Sequence, residues 1–204
     1  MGVLLAFDTA SPYVTVALHD GEAVVAEARA AQRWQHAEQL EPLIDGVLRE
    51  AGLLRFDVTA LAVGTGPGTS VGLQAGLDTA RTLAATLEIP AYGVCSLDVI
   101  ALEAAEGLGY ASGFLVAAGA RNEEVYLAAY DEQGTRVSGP VLTRPASVVT
   151  DLPVAGEGAV LHPEAFGRAV GPSLPSAGWL ALAVVDERTE LTDPEPLYVG
   201  TAGG

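Results

Sequence analysis

An apolar run ending at Val63 leads into Gly64-Thr65-Gly66-Pro67-Gly68-Thr69-Ser70, and a helical pattern follows at once. A stretch so rich in glycine, with a proline inside it, neither continues a strand nor starts inside a helix, so the chain must turn sharply between the two. A strand feeding a helix through a glycine loop is the building unit of α/β folds, and many such loops bind phosphate. This one fails both familiar phosphate spacings. A Walker-type loop needs a Gly-Lys-Ser/Thr whose lysine reaches the outer phosphates, and the chain contains no lysine. A dinucleotide fingerprint needs Gly-x-Gly-x-x-Gly, but Gly64 and Gly66 are followed at that place by Thr69, and Gly66 and Gly68 by Val71. Two readings remain. One is a backbone nest at a helix N-terminus, in which Gly66, Gly68 and Thr69 hold an anion or a nucleotide at an interface. The other, preferred because it needs no ligand, is a tight turn with Thr69 or Ser70 as N-cap.

The helix expected over residues 71–87 carries Gly72, Gly76, Ala80 and Ala84 at four-residue spacing, continuing from Gly68 in the loop, a stripe almost without side chains. A glycine inside a helix costs about 1 kcal/mol against alanine, so Gly72 and Gly76 require something that a Cβ would obstruct. Close approach of another backbone is the obvious cause. The chain's own sheet and a partner helix both meet that requirement.

Composition limits the rest. With 204 residues, half of them hydrophobic, the chain has enough apolar mass for a real core. Twenty-six acidic residues against ten arginines give a net charge of −16, which opposes tight binding of nucleic acid by the chain alone. Cys95 has no second cysteine to pair with, consistent with a reducing compartment. No run of eighteen apolar residues occurs, and residues 3–7 are too short for a signal-peptide core, so a cytoplasmic location is expected. His19, His36 and His162 lack metal-ligand spacing, and Ser11, Ser70 and Ser96 lack the surroundings of an activated nucleophile; no metal site or hydrolase chemistry is expected.

Alternating patterns predict strands over residues 3–7, 14–18 and 23–28, the last two joined by Asp20-Gly21. Leu40, Leu43, Ile44, Val47, Leu48 and Ala51 recur at helical spacing and end at Gly52. Strands at 60–63 and 91–94 alternate with helices over 71–87 and 97–106, giving the order βββαβαβα. From Gly113 the meander returns, over 114–118, 125–130 and 136–142. Such a repeat implies two similar lobes, the second incomplete: residues 1–106 as the first and 107–204 as a smaller C-terminal lobe. Seven of the twelve prolines lie in the last sixty residues, which breaks up long elements there.

Several segments in order carry a family resemblance: Leu4-Leu5-Ala6-Phe7-Asp8-Thr9-Ala10-Ser11, His36-Ala37-Glu38-Gln39-Leu40-Glu41-Pro42-Leu43-Ile44, Gly64-Thr65-Gly66-Pro67-Gly68-Thr69-Ser70-Val71-Gly72-Leu73, Gly93-Val94-Cys95-Ser96-Leu97 and Ala120-Arg121-Asn122-Glu123-Glu124-Val125-Tyr126. Over roughly residues 3–130 the chain resembles the TsaB (YeaZ) family. The resemblance implies an α/β fold of the actin/Hsp70/sugar-kinase-like (ribonuclease H-like) type, with two similar lobes on mixed sheets. It further implies a non-catalytic bacterial partner of TsaD in making threonylcarbamoyladenosine on tRNA: a heterodimer, with TsaE joining a larger complex, self-association of the isolated chain through the same helices, and ATP or ADP only at the complex interface. Family members pair through their first two helices, which nominates His36, Leu40, Leu43, Ile44, Val47, Gly72, Leu73, Gly76 and Ala80 as partner contacts. The chain also departs from the family, with Thr69, Ser70, Val71 and Gln74 in the loop where the family reads Gly-Pro-Gly-Ser-Phe-Thr-Gly-Leu-Arg, and with Gly119-Ala120-Arg121 where it often carries Asp-Ala-Arg. An ATPase of this fold uses carboxylates from both lobes to handle magnesium and water. Asp8 stands where the first is expected and Gly119 where the second is, so Asp8 reads as a strand-end cap. A stand-alone actin-fold ATPase or small-molecule kinase is the alternative. Gly156-Glu157-Gly158 resembles the family's adenosine-side turn, but reads as a turn only.

Overall fold

The structure is a computed structural model that describes residues 2–109 and 111–200. The first three strands, β1 (Val3–Asp8), β2 (Thr15–His19) and β3 (Val24–Arg29), form the expected antiparallel meander. Two more, β4 (Val58–Gly64) and β5 (Ala91–Val94), add parallel strands, so the sheet runs β3-β2-β1-β4-β5. Two helices, α1 (His36–Glu50) and α2 (Ser70–Leu87), pack against each other and on one face of it. Strand alternation decides what meets them: Leu5 and Phe7 of β1, Val16 and Leu18 of β2, and Leu61 and Val63 of β4 join Leu40, Ile44, Val47, Leu73 and Leu77 in one buried cluster. On the opposite face of these strands stand small residues, Ala6, Ala17 and Ala62, and α5 (Ala177–Val185) lies against β1, β2 and β4.

A second sheet repeats the plan. β6 (Phe114–Gly119), β7 (Val125–Tyr130) and β8 (Arg136–Thr143) form an antiparallel meander, and β9 (Val154–Ala155) runs parallel to β6, in the order β8-β7-β6-β9. The order β3-β2-β1-β4 thus recurs without a fifth strand. Where α1 stands in the first unit, the second has a 3-10 turn at Pro145–Ser147. The remaining helices are α3 (Ser96–Gly107) and α4 (Glu157–Leu161). This is the actin-like α/β architecture, with a reduced second half.

The domain boundary differs from the expected one. Residues 1–96 and 176–196 form one compact unit, and 97–175 with 197–204 the other. Thus α5, expected in the C-terminal lobe, belongs to the first unit. Its N-terminus is tied there by Glu27, whose Oε1 accepts from Ser176 Oγ at 2.8 Å and from the Gly178 N–H at 3.1 Å, and by Thr15 Oγ1, which accepts from Ala177 N–H at 3.2 Å. A carboxylate at a helix N-terminus also meets the positive end of the helix dipole.

Candidate functional site

The glycine loop closes over the end of β1. Parallel pairing sets Phe7 opposite Val63, which brings Asp8 level with Gly64. A Cβ on Gly64 would collide with the Asp8 carboxylate. Asp8 is wholly buried; its Oδ2 accepts from Ser96 Oγ at 2.5 Å and its Oδ1 from the Ala10 N–H at 2.8 Å. Ser96 in turn accepts from the Gly66 N–H at 3.2 Å through its hydroxyl, and its own N–H donates to the Gly66 carbonyl at 2.8 Å. Burial raises the Asp8 carboxyl above its ordinary range, while the hydrogen bonds from Ser96, Ala10 and Ser11 and the nearby His36 pull it back.

The rest of the loop packs as tightly. Gly66 has φ +94°, a left-handed conformation that favours glycine. A Cβ on Gly68 would run into the Ala10 backbone, one on Gly72 into the Thr9 carbonyl, and one on Gly76 into Thr9 Oγ1. Thr69 is the N-cap, its Oγ1 accepting from the Gly72 N–H at 3.2 Å. The small stripe of α2 is therefore filled by the chain's own β1–β2 connection.

That packing places the residues named as partner contacts within the first unit. Gly72, Leu73, Gly76 and Ala80 are buried within the first unit, and so are Leu40, Ile44 and Val47 of α1, which belong to its core. His36 is buried too, with Nε2 donating to the Ser11 carbonyl at 2.8 Å and Cε1 close to Gly72. Leu43 alone of the nine is partly buried at the edge of the core. The outer faces of the two helices carry Glu38, Glu41, Asp45, Val71, Gln74 and Asp78, all exposed; helical periodicity marks the apolar side and does not say what the opposite side meets.

Part of the candidate anion nest is already engaged within the chain. The Gly66 N–H and the Thr69 hydroxyl, two of the three candidate anion contacts, already serve Ser96 and Gly72, and the third, Gly68, lies against Ala10. The Asp8 carboxylate has no open side toward the loop, since Gly64 and Ser96 occupy it. In the second unit, the ideal Cβ position of Gly119 is 3.2 Å from Leu161 Cδ1 and 3.5 Å from Glu157 Oε2, so α4 covers the place expected for a second carboxylate. Gly156 has φ +95° and lies against the Ala117 carbonyl, and it turns the chain from β9 into α4. Among the described residues no group of three or more His, Cys, Asp or Glu is placed to hold a metal, and no helix is long and apolar enough to cross a membrane. Cys95 is buried. The sequence reading missed the role of Ser96, the partner of Asp8 at a separation of 88 residues; only its position after a parallel strand hinted that it lies near the end of β1.

The model of the family described as TsaD, tRNA N6-adenosine threonylcarbamoyltransferase, matches residues 24–167. The chain is 40% identical over 209 residues to an uncharacterized protein of Mycobacterium tuberculosis, covering 98% of this chain and 92% of the relative. It is 37% identical over 133 residues to the Escherichia coli tRNA threonylcarbamoyladenosine biosynthesis protein TsaB, covering 64% of this chain and 57% of that protein. The solved structure of YeaZ from Pseudomonas aeruginosa superposes with a TM-score of 0.79 at 27% identity, covering 98% of this chain and 100% of that one. With a family model spanning most of its length, and TsaB and YeaZ proteins matching in sequence and in fold, the chain belongs to that family and, within it, to the TsaB (YeaZ) proteins.

Proposed function

We propose that the chain is a non-catalytic partner of a TsaD-type threonylcarbamoyltransferase in forming threonylcarbamoyladenosine on tRNA, acting in the cytoplasm. The observation that carries the non-catalytic reading is the closure of the loop: the one carboxylate at the expected ATPase position is buried beneath Gly64 and bonded to Ser96 and Ala10. The E. coli relative, named for tRNA threonylcarbamoyladenosine biosynthesis, supports the pathway. The partner surface in this reading is the outward side of α1 and α2. Val71 is 73% exposed there, and a Cβ on Gly46, in the interior of α1, would meet no atom of the chain outside its own helix within 4 Å. A glycine inside a helix that nothing in its own chain requires is explained by the close approach of another chain.

The test combines the purified chain with the threonylcarbamoyltransferase of the same organism, tRNA and the threonylcarbamoyl donor. The chain raises the yield of modified tRNA and alone turns over no ATP. ATP hydrolysis by the isolated chain, lost in a folded Asp8→Asn, would refute the reading, as would modification that proceeds equally well without it.

A further inference from the structure

Between α1 and β4 the chain makes one 3-10 turn, Arg55–Asp57, that is fixed from both sides yet turns its large apolar side chains outward. Arg55 Nη2 lies 2.6 Å from Glu41 Oε2 and 2.7 Å from Asp45 Oδ1, and its Nε donates to Asp45 Oδ1 at 3.0 Å. Asp57 Oδ2 accepts from the Leu54 N–H at 2.8 Å, and the Asp57 N–H donates back to the Leu54 carbonyl at 3.0 Å. A guanidinium forked between two carboxylates of the preceding helix is a directional mount, stronger than an isolated surface ion pair. What it presents is Phe56, 85% exposed, and Leu54, 68% exposed, neither of which belongs to the core cluster.

A single exposed apolar residue is ordinary. Two on a rigid turn are preorganised, so little conformational entropy is lost when they are buried by something else. Charge identifies the class of occupant. Glu41, Asp45 and Asp57 against Arg55 leave the mount with three negative charges and one positive, on a chain of net charge −16. Nucleic acid is repelled by that surface. A second copy docking symmetrically would set the same carboxylates against each other. A protein whose apolar pocket is rimmed by lysine or arginine gains from both the rings and the rim.

We propose that Leu54 and Phe56 form an anchor that inserts into an apolar, basic-rimmed pocket on the transferase, which rests on the partner reading above. The anchor adds to the α1 and α2 surface and places part of the binding energy on the turn that follows α1. Binding of the full chain to the purified transferase of the same organism, by calorimetric titration at low and high salt, tests it with wild type, Phe56→Ser and the double variant Leu54→Ser/Phe56→Ser. The expected result is a Kd raised about tenfold or more by Phe56→Ser and further by the double variant, with unchanged Tm and a wild-type affinity that falls as salt rises. Tight wild-type binding that neither variant alters overturns the anchor and leaves the partner reading standing. Salt-independent wild-type binding overturns the basic rim. Failure of wild type to bind overturns the partner reading, and the anchor with it. Loss in Phe56→Ser of self-association, with transferase binding intact, assigns the turn to a second copy and also overturns the proposal.

Discussion

Replacing Gly76 with alanine sets two effects of known size against each other. In a helix interior with space around it, the change favours alanine by about 1 kcal/mol. Here the new Cβ meets Thr9 Oγ1 and stands 3.4 Å from Thr9 Cβ and Cγ2. Thr9 and Gly76 are both buried, so neither side moves aside easily, and overpacking of that kind costs about 1–3 kcal/mol. The clash therefore cancels or outweighs the helix gain, for a net loss of up to about 2 kcal/mol. At about 2–4 °C per kcal/mol for a chain of this size, Tm falls by at most about 8 °C. Thr9→Ala removes the obstructing hydroxyl, which has no hydrogen-bond partner and so gives up no bond. In that background Gly76→Ala should show its full helix gain of about 1 kcal/mol. Urea unfolding of wild type, both single variants and the double variant then yields a coupling of about 1–3 kcal/mol, with unchanged m-values. A Gly76→Ala that stabilises wild type by about 1 kcal/mol, regardless of residue 9, would refute the packing of the stripe on the β1–β2 connection.

Ser96→Ala removes the hydroxyl that donates to the buried Asp8 carboxylate, and a hydrogen bond to a charged group is worth about 1.5–3 kcal/mol; thermal unfolding at pH 7 should show a loss of that size, and an unchanged Tm would mean that the pair is not formed. Burial raises the Asp8 carboxyl in the folded chain above the 3.8 of the unfolded one, so between those values the native state holds a proton that the unfolded state has shed. Stability from this group therefore grows as pH falls through its folded pKa and is fully present below 3.8. Asp8→Asn should abolish that component, so on acidification wild type should gain stability relative to Asp8→Asn. A constant difference between the two unfolding free energies across that pH range would show that the carboxyl is not raised.

Much of the fold is written in local patterns. Alternation over β1 to β3 and again over β6 to β8 marks both meanders and their repeat, and the strand, glycine loop and helix at Val58–Gly64 and Ser70–Leu87 follow from turn chemistry and a threonine cap. The glycine stripe itself announces that something approaches α2 closely. The residues alone do not say what approaches. Periodicity reports which side of an element is apolar or small; what covers that side depends on which distant segment the sheet register delivers. Pairing of β1 with β4 puts Asp8, Thr9 and Ala10 under the loop and against Gly64, Gly68, Gly72 and Gly76, so the stripe packs within the first unit. The same register brings Ser96 to Asp8, 88 residues away, and makes that carboxylate a buried strut. Likewise α5 is uniformly apolar and carries no address of its own; the small face of β1, β2 and β4 and the Glu27 carboxylate at its N-terminus attach it to the first unit. Local periodicity sets the elements, and the long-range register of parallel strands, which no local pattern encodes, decides which of their faces meet.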